Sequence, residues 1–304
     1  MVKDIADVFI VKTNSRESGV NQLLENFDLN SFEGKNVAIK ANFNSADPFP
    51  ATTHLETLEL LISYIKTIKP SGILLGERSG MGKTREVLDK MRVLDLARKL
   101  GFEAVVLDDE DHDSWKKIEK NGNHWMNGFY ISKLFTDADK VVQTCCVKSH
   151  RFGGHFTMSL KNSVGLVAKK VPGERYNYMG ELHISPYQRL MIAEINQYYD
   201  VDLILMDGLK AFINKGPETG KIVEPNIMLA SKDRVAIDAV GASILRHYKT
   251  TREISQGKIF ELEQIKRAAE LGVGVQNAED IRIIGLNPES EAVAGELEEI
   301  LFSD

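Results

Sequence analysis

The chain has 304 residues, of which 43% are hydrophobic and 27% are charged. This is ordinary globular composition and argues against long disordered segments. A formal net charge of −6 at pH 7 argues against a nucleic-acid-binding protein and against a surface that seeks anionic lipid. The length exceeds the size at which one hydrophobic core usually stops growing. We therefore expect two closely packed lobes, over 1–155 and 156–304, or a single compact unit.

No targeting or membrane-spanning segment is expected. The first ten residues include Lys3, Asp4 and Asp7 and lack the apolar stretch of a signal peptide. No apolar run approaches the roughly 18 residues that span a bilayer. The two cysteines, Cys145 and Cys146, are adjacent, which excludes a disulfide framework and favours a reducing, cytoplasmic location.

Short apolar runs alternate with segments of helical period, and this order predicts an α/β protein with a mainly parallel sheet and flanking helices. The first half, in chain order, is predicted to contain a strand at 37–41, a helix capped by Thr53 and stopped by Pro70, a strand at 73–76, a helix from Thr84 to Gly101, a strand at 104–107, a surface excursion at 108–127, a helix near 130–136 and a strand at 140–147.

The second half continues the pattern less regularly. It is predicted to contain a helix that starts at Ser185, strands at 203–206 and 227–230, a helix at 235–245 capped by Asp233, a helix at 259–271 and a strand at 281–284. Because parallel strands covered on both faces are continuously apolar, we expect these residues to be buried in strands: Val37, Ile39, Ile73, Leu75, Val105, Val142, Leu203, Ile204 and Ile227.

Polar residues follow the predicted strands, at the edge where open α/β sheets bind ligands. Lys40 and Asn42 lie at the end of the first strand, and Asp207 follows the strand at 203–206. Lys40 interrupts a buried strand, so its side chain either reaches the crevice or extends to an edge. Taken singly, such residues are also what a solvated loop contains.

The segment 148–162 has an unusual density of basic and histidine side chains. Gly153 and Gly154 would let its backbone approach a ligand closely. Histidine supplies acid-base chemistry near neutral pH, and a buried lysine that loses its charge acts as a base or nucleophile. Such charge is costly to bury without use, so the segment predicts an anion site rather than a solvated basic loop. Its candidate residues are Lys148, His150, Arg151, His155, Lys161 and Asn162.

Two further residues join the candidates. His183 precedes the helix start at Ser185 and either faces the crevice or helps to cap that helix. Asp238 lies in a helix with little polar face, so we expect it to be buried and to accept hydrogen bonds from Lys40, Lys161 or a backbone amide. We expect His150, Lys161 and His183 to meet in one pocket, with Lys40 or Asn42 at its rim.

Two patterns suggest other sites. Residues 76–84 read GERSGMGKT, but a phosphate-binding P-loop needs glycine where Glu77 stands. We therefore predict no ATP binding there. His150, His155 and Cys146 form a weak metal candidate, because adjacent cysteines on a strand point to opposite faces and rarely bind one ion together.

Several segments together resemble the family called domain of unknown function 362, over roughly 35–250. The resemblance implies no reaction. Some members carry an added ferredoxin-like segment with CxxC motifs for iron-sulfur clusters, which this sequence lacks. The segments are IKANFN at 39–44, TTH at 52–54, VKSHRFGGHFTMSLKNSVG at 147–165, LMDGLKAF at 205–212, NKGP at 214–217 and ASKDRVAIDAVG at 230–241.

The chain is also distantly similar to lactate racemase, a two-lobed α/β enzyme with a nickel-pincer cofactor tethered to a lysine and flanked by proton-moving histidines. His150, Gly153, Gly154 and Lys161 stand in that family's order, and His183 follows. The resemblance implies that Lys161 would be the tether. The residues immediately after this lysine depart from the racemase pattern.

The sequence thus favours a cytoplasmic enzyme that acts on a small anionic metabolite bearing a carboxylate or phosphate, with a racemase-like or isomerase-like activity as one option. His150 or His183 would move a proton, and Lys161 would serve as base, electrophile or cofactor anchor. The candidate cofactors are a divalent metal and a lysine-tethered nickel cofactor. The alternatives are a non-catalytic metal or small-ligand binding protein and an iron-sulfur electron-transfer partner, for which two cysteines are too few.

Overall fold

The computed structural model describes residues 5–152 and 155–303 as alternating strands and helices. The strands are β1 (Ala6–Lys12), β2 (Asn36–Lys40), β3 (Gly72–Glu77), β4 (Glu103–Val106), β5 (Trp115–Ile118), β6 (Phe129–Ser132), β7 (Lys140–His150), β8 (His155–Phe156), β9 (Leu203–Phe212), β10 (Ile222–Val223), β11 (Ile227–Ser231) and β12 (Ile281–Gly285). The helices are α1 (Arg16–Leu24), α2 (Leu55–Thr67), α3 (Thr84–Lys90), α4 (Val93–Leu100), α5 (Lys133–Thr136), α6 (Ser159–Asn162), α7 (Tyr178–Ile184), α8 (Gln188–Ile195), α9 (Arg234–His247), α10 (Arg252–Ser255), α11 (Glu263–Glu270) and α12 (Pro288–Phe302).

Ten of the described strands form one sheet, in the order β12-β1-β11-β9-β7-β2-β3-β4, with β10 on β9 and β8 on β7. The strands from β9 to β4 in this order are mutually parallel, and β1 is parallel to β12. β11 runs antiparallel to both of its neighbours. The mainly parallel α/β fold is therefore confirmed. Strands from both halves of the chain share this sheet, and the division into lobes at residue 155 stays a prediction.

Apolar side chains leave both faces of the sheet, as expected for parallel strands between helices. In β9, Leu203 and Leu205 pack into the layer that contains α1, α2 and α4. Ile204 and Met206 alternate with them and pack into the layer that contains α9, α11 and α12. Eight of the nine strand residues that the sequence predicted to be buried are buried. The ninth, Val105, is partly exposed because β4 is an edge strand.

Several element boundaries differ from the predictions. β7 extends to His150 and β9 extends to Phe212, because the two strands continue to pair with each other past the predicted ends, with an irregularity between Cys146 and Lys148. The segment near 130–136 is a strand followed by a short helix. The excursion at 108–127 contributes β5, which pairs with β6, and its Trp125 is fully buried.

Two other observations concern β1 and the membrane. β1, which lies inside the sheet between β11 and β12, was not predicted from the sequence. No helix in 5–152 or 155–303 is long and apolar enough to cross a bilayer.

Candidate functional site

A cavity of about 240 Å³ lies at the carboxyl ends of β2, β3 and β7. This is the edge of a parallel sheet where ligands are expected to bind. Seven of the predicted site residues line it: Lys40, Asn42, Lys148, His150, Lys161, Asn162 and His183. The expected convergence of His150, Lys161 and His183 is therefore confirmed, while their chemical roles stay predictions.

Asp238 positions the segment that carries Lys161. Its buried carboxylate accepts hydrogen bonds from the backbone amides of Ser159 (2.7 Å) and Leu160 (3.0 Å), at the start of α6. Burial raises the pKa of Asp238 to about 7, and the two amides act in the opposite direction. The predicted burial and backbone donors are confirmed. Asp238 does not line the cavity, so its expected contact with a ligand is replaced by this capping role.

Two residues hold α6 and the turn after it against β2. The Asn162 side-chain amide donates to the backbone oxygens of Lys40 (3.2 Å) and Thr144 (3.3 Å). Gly165 lies so close to Lys40 that a Cβ atom added there would be 2.5 Å from Lys40 Cε and 3.1 Å from Glu77 Oε1. Glycine at this position therefore permits the turn to pack on the buried lysine.

Lys40 and Glu77 form a buried ion pair at the inner wall of the cavity. Lys40 Nζ is 2.7 Å from Glu77 Oε1. The backbone amides of Phe43 (2.8 Å) and Arg78 (2.9 Å) also donate to the Glu77 carboxylate. Burial lowers the pKa of Lys40, and Glu77 opposes that shift. Both charges in this pair are thus matched within the protein.

Three further cations at the cavity have no carboxylate within ion-pair distance among the described residues. Arg78 donates through Nε to the backbone oxygen of Val167 (2.9 Å) and through Nη2 to the Val164 oxygen. Lys148 Nζ donates to a backbone oxygen, that of Ala51. For Lys161, no side-chain partner is found within 5–152 and 155–303. The cavity therefore holds three cations that no carboxylate of the described residues pairs with directly, although Asp108 and Glu77 act on the pKa of Arg78, and Glu218 on that of Lys148, from farther away.

Burial lowers the pKa of these cations. The pKa of Lys161 falls to about 8, first because of burial and then because the Lys148 and Arg78 charges lie nearby. Burial likewise lowers the pKa of Lys148 and of Arg78. A substantial part of Lys161 is consequently a neutral amine at mildly alkaline pH.

The two histidines at the cavity are hydrogen-bonded so that their neutral rings carry opposite tautomers. His150 Nδ1 accepts from the Phe152 backbone amide (3.1 Å), which leaves the proton on Nε2. His183 Nδ1 lies 2.6 Å from the Met179 carbonyl oxygen. Because a carbonyl only accepts, Nδ1 carries the proton there and Nε2 is the acceptor. Burial, followed by the Lys161 charge, lowers the pKa of His150 well below its ordinary value, so its ring is neutral near pH 7.

Arg151 and Asp207 were expected at the ligand but do not line the cavity. Arg151 pairs with Glu218 and stacks on the Phe152 ring, 4.3 Å from its centroid. Asp207 lies in the middle of β9 because that strand is longer than predicted. Its carboxylate accepts from Arg16 Nε (2.8 Å) and from the Thr57 hydroxyl (2.7 Å).

The metal expectation for His150, His155 and Cys146 is not met. No group of three or more His, Cys, Asp or Glu side chains in the described part of the chain is arranged to hold a metal ion. Cys146 Sγ contacts the Thr52 carbonyl oxygen at 3.3 Å, and burial raises the pKa of its thiol to about 12. His155 does not line the cavity; burial and the nearby Arg189 lower its pKa. Gly153 and Gly154 lie outside the described residues.

Several cavity residues were not selected from the sequence. Glu77 and Arg78 directly follow the apolar run of β3, so their place at the end of a buried strand was the available signal. The apolar part of the wall had no comparable signal, because exposed and cavity-facing apolar residues look alike in a sequence. It is formed by Met81, Phe152, Met158, Val164, Met179 and Pro217.

Comparison with known proteins supplies the family. The model of the family described as "Domain of unknown function (DUF362)" matches residues 37–243, which is more than half of the chain. The chain belongs to the DUF362 family. This confirms the resemblance drawn from the sequence, and the matched region includes the cavity residues from Lys40 to His183.

Two similar proteins add context to the DUF362 assignment. Thylakoid-associated protein sll1697 of Synechocystis sp. (strain PCC 6803) is 26% identical over 226 residues, covering 70% of this chain and 64% of that protein. The match therefore spans less than two thirds of the relative. The lactate racemase apoprotein of Thermoanaerobacterium thermosaccharolyticum is similar in structure, with a TM-score of 0.46 and 20% identity, over 73% of this chain and 53% of that one.

Proposed function

We propose that this DUF362 protein is an enzyme that binds a small anionic metabolite in the cavity and moves a proton on it. The observation that carries the proposal is the unmatched positive charge of Arg78, Lys148 and Lys161. Burying a charge without a partner costs several kcal/mol, and a bound carboxylate or phosphate would offset that cost. The charge-assisted hydrogen bonds would also fix the orientation of the anion.

The histidine tautomers support proton transfer over binding alone. The neutral tautomer of His183 that the Met179 carbonyl selects has a free Nε2, as a general base requires, whereas His150 presents an Nε2 proton, as a general acid requires. In a racemase or isomerase, the base removes a proton from carbon beside a carboxylate or carbonyl, and an acid returns one. Lys161, partly neutral above pH 8, supplies a third group for the same chemistry.

Lys161 is also the proposed anchor of a covalent cofactor. Lys161 has the accessibility and the free amine that a covalent cofactor anchor needs, and His150 and His183 lie at the same cavity. A tethered nickel cofactor would supply an electron-accepting centre beside the substrate. An intact mass of protein purified from its native host would reveal such an adduct.

The adjacent, unbridged cysteines are consistent with the proposed cytoplasmic location.

Proton transfer is tested by deuterium incorporation. The purified protein is incubated in D₂O with a mixture of small carboxylates and phosphate esters, and each compound is followed by mass spectrometry and proton NMR. We expect deuterium at carbon in a carboxylate-bearing or phosphate-bearing compound, with a rate at least about 100-fold lower in His183→Gln. His247→Gln is the matched control, because His247 is an exposed histidine outside the cavity.

The rival reading, a non-catalytic binding protein, predicts a different result in the same samples. Calorimetry would show that a compound binds and that binding is lost in Lys161→Met, yet no carbon-bound hydrogen would exchange in wild type. That outcome would replace the enzyme proposal with a binding function. An absence of binding for every anion would overturn both readings.

A further inference from the structure

We infer that Lys161 captures a short-chain 2-oxo acid as a covalent iminium, with the acid's carboxylate held by Arg78 and Lys148. This inference deepens the proposed function and rests on it, because the same cavity must first bind a small anion. It assigns the substrate class and gives Lys161 a specific role among base, electrophile and anchor.

Lys40 and Lys161 line the same cavity but differ in their partners. Lys40 is held by the Glu77 carboxylate at 2.7 Å, which opposes the lowering of the Lys40 pKa by burial. Lys161 has no such partner in the described residues and lies beside other cations. Enclosure near like charges favours the neutral amine, and a lysine activated in this way attacks carbonyl carbon.

The second step is the placement of donors for a carboxylate. Arg78 uses Nε and Nη2 for contacts with protein atoms, and Nη1 has no partner in the part of the chain described. Lys148 donates to the Ala51 oxygen, and its remaining N–H hydrogens have no partner among the described residues. These cations border the same cavity as the Lys161 amine. The lining therefore suits a carbonyl group bonded directly to a carboxylate, which is the structure of a 2-oxo acid.

The third step is the acid-base chemistry of iminium formation. The lone pair of the Lys161 amine forms a bond to C2, and the carbonyl π electrons move to oxygen, which takes a proton from His150 Nε2. The amine nitrogen loses a proton to His183 Nε2. The carbinolamine hydroxyl then takes that proton from His183 Nε2 and leaves as water, while the nitrogen lone pair forms the carbon-nitrogen double bond. His150 Nε2 regains its proton from solvent. The amine, one proton and the carbonyl compound thus give an iminium ion and one water molecule, without an oxidant or reductant.

The iminium also links this inference to proton transfer. Its positive nitrogen withdraws electrons and makes the hydrogen at C3 more acidic. His183 Nε2, which is unprotonated again once the water has left, is the base at the cavity for that step. Deuterium would therefore appear at C3 of the 2-oxo acid in D₂O, which specifies the position that the exchange experiment should find labelled.

The cavity limits the size and polarity of the rest of the acid. Its volume of about 240 Å³ equals that of about eight water molecules at roughly 30 Å³ each. Met158, Val164 and Met179 form apolar wall. A short, unbranched or singly branched aliphatic chain fits this wall, whereas a second charged group would lack a partner on it.

Reductive trapping tests the inference. Wild-type protein is incubated with pyruvate or 2-oxo-4-methylpentanoate and then treated with sodium borohydride. The expected result is one adduct, heavier than the protein by the free acid less one oxygen atom, mapped to Lys161 by peptide mass spectrometry. Lactate, which has no keto group, and acetone, which has no carboxylate, are the matched probes and should give at least about tenfold less adduct.

Variants separate the roles of the lysines. Lys161→Arg should abolish the adduct, Lys148→Met should reduce it at least about tenfold, and Lys210→Arg, on an exposed lysine, should leave it unchanged. Thermal unfolding of each variant checks that it folds, and the wild-type peptide map does not depend on any variant.

The contrary outcomes are distinct. Anion binding without any adduct at Lys161, or an adduct spread over surface lysines, would overturn this inference and leave the proposed function standing. A mass adduct already present on Lys161 in protein from its native host would also overturn it, in favour of a tethered cofactor. Absence of anion binding would overturn the proposed function itself.

Discussion

The cluster around Asp207 and the cavity around Lys161 both place charge inside the protein, yet they are arranged in opposite ways. Asp207 is fully buried and is satisfied by Arg16, Thr57 and the Leu209 amide, at distances of 2.7 to 3.1 Å. Among the described residues, the side-chain nitrogens of Arg78 and Lys148 donate to carbonyl oxygens or sulfur and to no carboxylate. A buried charge with a protein counter-charge holds the fold together, whereas one without a counter-charge calls for a ligand.

The first test removes the carboxylate of the matched cluster. Asp207→Ala leaves the Arg16 guanidinium and the Thr57 hydroxyl without their acceptor, so we expect the free energy of unfolding to fall by about 3 to 5 kcal/mol. Chemical denaturation measures the change. Asp109→Ala is the control, because Asp109 is exposed and forms a surface ion pair with Arg85. A loss below about 1 kcal/mol would show that the cluster does not stabilise the fold as argued.

The second test removes a charge from the unmatched site. In Lys161→Met, we expect anion affinity to fall about 10-fold to 100-fold, the equivalent of one charge-assisted hydrogen bond. In contrast to Asp207→Ala, the free energy of unfolding without ligand should stay constant or rise by about 1 kcal/mol, because an uncompensated cation is removed. Titration calorimetry and denaturation measure the two quantities. A large loss of stability would mean that Lys161 has a structural partner.

The third test uses pH to remove the same charge reversibly. The pKa of Lys161 is about 8 in the folded protein, against an ordinary value of 10.5. The folded state therefore binds this proton more weakly than the unfolded state. The resulting destabilisation is complete below about pH 8 and disappears as the pH rises towards 10.5.

The lowered pKa of Lys161 predicts how two quantities change with pH, the free energy of unfolding and the anion affinity. The stability advantage of Lys161→Met over wild type should shrink between about pH 7 and about pH 10. Over the same range, wild-type anion affinity should decrease as the ammonium charge is lost, while Lys161→Met should show a flatter profile. Equal pH profiles in the two proteins would place the titrating group elsewhere.

The smallest effect is expected at a surface ion pair. Arg85 and Asp109 lie 2.7 Å apart with side chains 65% and 53% exposed. Because solvent screens exposed pairs, Arg85→Gln should change the free energy of unfolding by less than about 0.5 kcal/mol. Denaturation at low and high salt measures this effect. A change as large as that of Asp207→Ala would undermine the contrast between matched burial and solvent exposure.

The sequence by itself determined the α/β architecture and the edge of the sheet where the site lies. The run 37–41, for example, lies inside the sheet, where Val37 and Ile39 enter the layer on one face and Ala38 enters the layer on the other. The basic segment 148–162 indicated an anion site because charge of that density is seldom buried without use. Asp238 was predicted to be buried because its helix has little polar face. It was predicted to be hydrogen-bonded because a buried carboxylate without donors is costly.

The tertiary structure alone decided which charges are matched. Asp207 and Lys148 both follow apolar runs in the sequence, but Arg16 and Thr57 satisfy the first, whereas the second faces the cavity. The extension of β9 beyond Met206 also moved Asp207 away from the strand end. These outcomes depend on contacts between residues far apart in the chain, which local pattern does not specify. Within the described residues, the unpaired state of Lys161 likewise follows from how α6 packs against α9 and β7, with Asp238 capping its start and Asn162 tying its end to β2 and β7.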